Sequence, residues 1–390
     1  MNPKTALKDY LNQQNEEAWS AALATLLRSI HEVDRNATQI WFAFYPLTLF
    51  NALEAAEDRE KLAHELLLQG DYELKTQIDT SHDFLYGHRF WPQVKRAVAQ
   101  YASEGAEKQG VGRRVSGVGN ANQELTGNSS APLSSEESLS QHPTPDTPHP
   151  DSPKLADQIL AVARRVAGEL KKDESLLVGI TAVAFMTLQQ VGLEAFSAAP
   201  GNVAIERKVA KKSPEQILRQ RAQDDSQGMF GFLKTVNKQW TVTWDENDAR
   251  AKYKLREGQD LAWGAAEDQT RDWRAIDPRR IEGPIPVECR SASCGTCWVG
   301  VLGGAEKLSD VAAREGKKIK EFGYIETAEP KPLIRLACQA QPHGAVSVVI
   351  PPWNGQFGKY LNGLKTGGSR RTKDSAGDAE AQEAGREVTN

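Results

Sequence analysis

Four cysteines, Cys289, Cys294, Cys297 and Cys338, are the whole cysteine inventory of this 390-residue chain. Three stand in Glu288-Cys289-Arg290-Ser291-Ala292-Ser293-Cys294-Gly295-Thr296-Cys297-Trp298, a C-x4-C-x2-C run. The fourth follows in Arg335-Leu336-Ala337-Cys338-Gln339. This spacing suits a [2Fe–2S] cluster, in which each of two irons takes two thiolates. Three ligands within nine residues come from one loop wrapped around the cluster, and the distant fourth closes the cage. The intervening residues are mostly small, which lets backbone N–H groups approach the sulfur atoms and stabilise the extra negative charge of a reduced state. Gly295 can take the positive φ that tight wrapping often demands.

From about Trp240 to Asn362 the chain resembles the plant-type, β-grasp [2Fe–2S] ferredoxin family, on the cysteine run and on the Arg335–Gln339 setting of the fourth cysteine. The resemblance covers about a third of the chain. It implies that Cys289 and Cys294 bind one iron, and Cys297 and Cys338 the other. Two departures stand out. The family commonly carries glycine where this chain has Ala292, which implies a slightly strained loop. The gap from Cys297 to Cys338 is longer than in plant ferredoxins, which implies an inserted helix.

Other chemistries fit the cysteines less well. Structural zinc sites favour paired C-x2-C units. A thiol–disulfide motif at Cys294-Gly295-Thr296-Cys297 leaves Cys289 and Cys338 without a role. A Rieske centre needs two histidines, and His343, in the turn sequence Gln341-Pro342-His343-Gly344, is the only one near. A disulfide framework does not suit a chain whose start, Met1-Asn2-Pro3-Lys4, has no apolar signal region. The expected setting is a reducing cytoplasm. A formal net charge of −4 argues against nucleic acid as a partner. Over 241–362 acidic and basic side chains are equal in number, unlike the acidic docking faces of plant ferredoxins, so a different partner surface is expected.

The elements around this loop give an α+β reading: a β-grasp ferredoxin-like domain over 238–362, an all-α domain over 1–103 and a helical segment over 153–237. Residues 104–152, rich in Gly, Ser and Pro, read as a disordered linker, and 363–390 as a disordered tail. Trp19, Ala22, Leu23, Leu26, Leu27, Ile30 and Val33 form one helical stripe. Ile40–Tyr45 is densely aromatic before Pro46, and a helix ending in Leu66–Leu68 stops at Gly70. Ser152-Pro153 caps a helix striped by Leu155, Ile159, Val162, Val166 and Leu170. Leu176–Leu188 has no charge over thirteen residues, short of the ~20 a membrane span needs. It reads as a buried helix; a peripheral membrane contact through 176–199 is the lesser alternative, given Lys171, Lys172, Arg207 and Lys208 at its flanks. Ser213-Pro214-Glu215-Gln216 is a capping box. In the last third, strands are expected at Gln239–Trp244, Ala251–Leu255, Trp298–Leu302 and Ala345–Ile350, with helices at Leu261–Glu267 and Glu306–Phe322.

His82 and His88 form the one close histidine pair in an ordered-looking stretch, but a spacing of six separates them on a continuous helix unless Gly87 breaks it. Trp298 shields a cluster, meets a partner or fills the core, and Arg290 raises the potential, pairs with an acidic partner or stays solvated. The sequence carries no nucleophile–base triad, phosphate loop or flavin fingerprint. The expected function is electron transfer by one [2Fe–2S] cluster between redox protein partners. In that reading the helical parts dock partners, and a flexible linker leaves the cluster domain free to swing. The first alternative is an electron-input subunit of an oxygenase or reductase, with catalysis near His82 and His88. The second is a zinc-binding scaffold.

Overall fold

The computed structural model describes residues 6–45, 47, 74–111, 154–223, 238–277, 279–321 and 332–351. The expected helix end at Leu66–Gly70, the tail, and nearly all of the expected linker lie outside them. So do Ser152 and Pro153; Lys154 takes the cap position of the following helix without a side-chain hydrogen bond.

The helical part comprises α1 (Ala6–Asn12), α2 (Glu16–Leu26), α3 (Glu32–Phe44), α4 (Trp91–Val111), α5 (Leu155–Leu170), α6 (Ser175–Ala198), α7 (Arg207–Ala210) and α8 (Pro214–Ala222). The single stripe expected from Trp19 to Val33 is two helices. The chain turns between them because the His31 N–H donates to the Ser175 carbonyl, while the His31 ring accepts from the Val33 N–H and caps α3. α6 explains the uncharged run: every residue from Leu176 to Leu188 is buried among the other helices. By length and composition α6 could cross a membrane, yet most of it is buried in protein. Ser213 and Gln216 form the expected capping box of α8.

The sheet holds β1 (Gln239–Thr243), β2 (Lys252–Arg256), β3 (Trp298–Gly303), β4 (Ile334–Leu336) and β5 (Val346–Val349), in the order β2-β1-β5-β3-β4. β1 and β5 are parallel at its centre, and the other neighbours are antiparallel. α9 (Leu261–Ala266), capped by Asp260, and α10 (Trp273–Ile276) follow the β1–β2 hairpin. The helix expected over 306–322 is corrected. A 3-10 turn at Ala305–Lys307 is followed by extended chain, and only then by α11 (Ala313–Glu321). Leu308 forms an isolated bridge to Pro342, and the Ser309 N–H donates to Gln341, so this stretch bonds to another strand instead of to itself.

Helices and sheet share one hydrophobic core, which corrects the expectation of a freely swinging cluster domain. At Gly300 of β3 a Cβ would stand 2.4 Å from Ile40 and 3.2 Å from Phe44, so α3 approaches the strand more closely than any side chain there would permit. Arg221 of α8 ties the layers together. Its guanidinium donates twice to Glu246, at 2.8 and 2.7 Å, and once to the Val33 carbonyl at 2.7 Å. Glu246 also accepts from Ser347 of β5. Asp34 of α3 accepts the N–H groups of Tyr86 and Gly87 at 2.6 and 2.7 Å.

His82 and His88 do meet, because the chain between them is a series of turns ending in a 3-10 helix at Tyr86–Phe90. Their Nδ1 atoms lie 2.9 Å apart in the core. The Nε2 of His82 faces the Ile78 carbonyl at 3.1 Å, so that nitrogen carries the proton and the Nδ1 of His82 accepts from His88. Burial holds the His82 imidazole well below its usual pKa and lowers that of His88 to about 4. An unfolded His88 binds a proton near pH 6.5 while the folded one does not, so this residue removes stability as pH falls from about 6.5 to about 4, by ~3 kcal/mol at the lower end. His88→Asn keeps a donor at the same place without titrating. Urea unfolding across this pH range is expected to show the variant gaining up to ~3 kcal/mol relative to the parent as the medium is acidified.

Candidate metal centre

Trp298 and Leu336 are paired across β3 and β4, and each is flanked by a candidate ligand: Cys297 just before β3, and Cys338 two residues beyond Leu336. The Ala337 N–H donates to the Cys297 carbonyl at 2.9 Å and locks this register. The strand pair therefore delivers the distant fourth cysteine to the loop that holds the other three. β4 gave no strand signal of its own, since three residues are too few for an alternating pattern.

The loop wraps as its small residues imply. The N–H groups of Ser293 and Cys294 each lie 3.3 Å from the Cys289 sulfur, that of Ser291 lies at 3.5 Å, and that of Thr296 lies 3.4 Å from the Cys294 sulfur. Such curvature needs left-handed backbone. Gly295 adopts φ +71° without cost, whereas Arg290 (φ 50°) and Ala292 (φ 55°) adopt it with a Cβ in place. The implied strain at Ala292 is thus visible in the backbone.

The four thiols are free, and they come as two pairs, Cys289 with Cys294 and Cys297 with Cys338. Among the described residues no three His, Cys, Asp or Glu groups converge as a ligand set for one ion. Two thiolate pairs suit a binuclear iron–sulfide group. Burial opposes ionisation of Cys289, but the backbone donors of Ser291, Cys294 and Ser293 prevail and bring its thiol to about 6. Cys338 is lowered to about 7, chiefly by the hydrogen bond from Cys297, and Cys297 is raised well above the usual thiol value by that same bond. One sulfur of each pair is thus poised to ionise first. Cys294, Cys297 and Cys338 are buried, and Cys289 is partly exposed.

Glu315 of α11 and Arg335 of β4 set the fourth cysteine in place, and nothing in the cysteine spacing pointed to them. Both side chains are fully buried. The carboxylate accepts from Arg335 at 2.8 and 3.0 Å and from the Leu336 N–H at 2.8 Å, and Arg335 also donates to the Ser309 carbonyl. One signal was available: Glu315 stands four residues before the buried Ile319, so a charge lies on the apolar face of α11 and needs a buried cation. Arg290 is not a free charge; it pairs with Glu282. Trp298 is core, on the strand face that Gly300 turns towards α3. The Thr296 hydroxyl donates to Glu288 at 2.9 Å and pins the base of the loop. His343 lies on the turn expected for it, its N–H donating to the Lys307 carbonyl.

Residues 276–343 match the family model of the 2Fe-2S iron-sulfur cluster binding domain, a span that includes all four cysteines. This part of the chain is a [2Fe–2S] ferredoxin-type domain. Its cofactor is a [2Fe–2S] cluster, and the paired thiols and the inward N–H groups fit that group. Comparisons with curated proteins and with solved structures gave no match. The β1–β2 hairpin and all the described helices as far as α9 precede the matched span.

Two substitutions test the ferredoxin-type loop. Ala292→Gly removes the left-handed penalty and is expected to raise stability by ~1 kcal/mol in urea unfolding. Glu315→Ala leaves Arg335 buried and uncompensated, and is expected to cost ~3–5 kcal/mol by the same measurement, with faster loss of visible absorbance on dilution.

Proposed function

We propose that Cys289, Cys294, Cys297 and Cys338 ligate the [2Fe–2S] cluster, and that the chain passes single electrons between redox protein partners. The observation that carries this reading is the meeting of all four thiols, as two pairs, inside the span that matches the cluster-binding domain. The pairing supports Cys289 with Cys294 on one iron and Cys297 with Cys338 on the other. The mixed sheet, with parallel β1 and β5 at its centre, supports the β-grasp description.

The bound cluster supplies a one-electron site, with a potential on the order of −400 mV for plant-type clusters. The protein's own residues prepare that site. The N–H groups of Ser291, Ser293, Cys294 and Thr296 point at sulfur and offset added negative charge. Arg335 adds little net field, since Glu315 neutralises it in place. Burial of three cysteines excludes water, and the partial exposure of Cys289 leaves one short route for an electron to a docked protein. Free thiols and oxygen-sensitive sulfide suit a reducing compartment, and the cytoplasm is the location we propose. The helices, fused to the sheet through Gly300 and Arg221, hold the cluster rigidly in this reading instead of tethering it.

Iron and acid-labile sulfide, assayed on anaerobically purified protein with visible and electron paramagnetic resonance spectra, test the proposal. Two iron and two sulfide per chain are expected, with a rhombic signal only after reduction. Cys338→Ala is expected to lose the visible bands, and an unchanged spectrum in that variant would overturn the ligand assignment. One zinc and no sulfide would move the protein to the scaffold class.

A further inference from the structure

Cys289 is the partly exposed ligand, and basic side chains stand on both sides of it. Arg290 follows it in sequence and is exposed. On the other side, Arg314 in the first turn of α11 donates to the Ser293 hydroxyl at 2.8 Å, which fixes α11 to the cysteine loop. As far as Ile319, the charged side chains that α11 turns to solvent are basic: Arg314, Lys317 and Lys318. Glu315 on the same helix is buried against Arg335. The nearby acids are Glu282, which Arg290 binds, Glu288, which accepts from Thr296, Asp260, which caps α9, and Asp310, which precedes α11. Lys317, Lys318 and Asp310 already have partners of their own. The Arg290–Glu282 pair is exposed on both sides, and surface ion pairs of that kind are worth little.

An apolar anchor sits beside this rim. Asp260 feels the charge of Arg290 and caps α9 through the Trp263 N–H at 2.7 Å. The N–H groups that open α9 bond to the Ala337 and Ala340 carbonyls, on either side of Cys338. Trp263 is 57% exposed, the most exposed large hydrophobic side chain in the described residues. A solvent-facing tryptophan next to charged groups is the composition of an interface hot spot.

We propose that this rim, formed by Arg290, Arg314, Lys317 and Lys318 with Trp263 beside it, docks an acidic redox protein over Cys289. The proposal rests on the electron-carrier reading above. It assigns the partner's sign: the rim is opposite in charge to the acidic docking face of plant ferredoxins, so the complementary protein presents carboxylates around its own redox centre.

The test uses the full holoprotein and, as probe, an acidic flavodoxin whose semiquinone is followed by stopped flow after mixing with the reduced protein. The rate is expected to fall about tenfold or more between ~0.01 and ~0.3 M ionic strength. A Lys317→Glu/Lys318→Glu variant with an unchanged visible circular dichroism spectrum is expected to lose about tenfold at low salt. Trp263→Ala is expected to lose several-fold at every salt concentration. Calorimetric titration of oxidised protein with oxidised flavodoxin is expected to show the same ranking of affinities without any electron transfer. A rate that rises with salt, or a lysine variant as fast and as tight as the parent, would overturn the proposal. So would a concentration-dependent dimer abolished by these substitutions, since the occupant would then be a second copy of the chain. If the protein holds no iron or sulfide, the carrier reading fails instead, and the calorimetric ranking still reports on the docking face.

Discussion

Glu315 and Arg335 form an ion pair with no solvent exposure, and the arrangement of the cysteines depends on it. Two charges removed from water carry a heavy desolvation cost, recovered only when geometry is good and the remaining lone pairs and protons are satisfied. Here they are. Both carboxylate oxygens take a guanidinium N–H, one also takes the Leu336 N–H, and the remaining guanidinium arm reaches the Ser309 carbonyl. The pair thereby joins three pieces of chain that have no local reason to meet: the extended stretch before α11, α11 itself, and β4. Cys338 follows β4 by two residues, so its place opposite Cys297 is a consequence of this buried charge.

The loop that carries the other three cysteines is held by different means. Its N–H groups turn inward towards sulfur, so the usual backbone pairings are given up in that stretch. The cost shows as left-handed backbone at Arg290 and Ala292. Strain concentrated beside a cofactor is sustained only where the surroundings over-determine it. Thr296 on Glu288, Arg290 on Glu282 and Arg314 on Ser293 provide those constraints. The same bonds set the charge that the loop presents to solvent.

The helices bear on the cluster through β3. Gly300 admits α3 to within contact of the strand, and Arg221 reaches from α8 to Val33 of α3 and to Glu246 beyond β1. Fusing the layers in this way removes the freedom that a tethered electron carrier would have. It also buries Trp298, the residue after Cys297, and leaves Cys289 as the candidate ligand partly open to solvent.

The type of cofactor, its candidate ligands, the β1–β2 hairpin and the burial of α6 were legible in the sequence, because each depends on residues close together: cysteine spacing, alternation, or an unbroken apolar run. The glycine missing at position 292 likewise announced a strained loop. The tertiary structure alone decided the rest. His82 and His88 meet only because turns replace a helix between them. Arg290 finds Glu282, and Glu315 finds Arg335, across gaps that no periodicity spans. The stretch after β3 leaves its helix to bond with the chain beyond Cys338. Local spacing determines which groups can bind iron and sulfide, whereas burial and long-range pairing determine which of them are brought together and which one is left facing solvent.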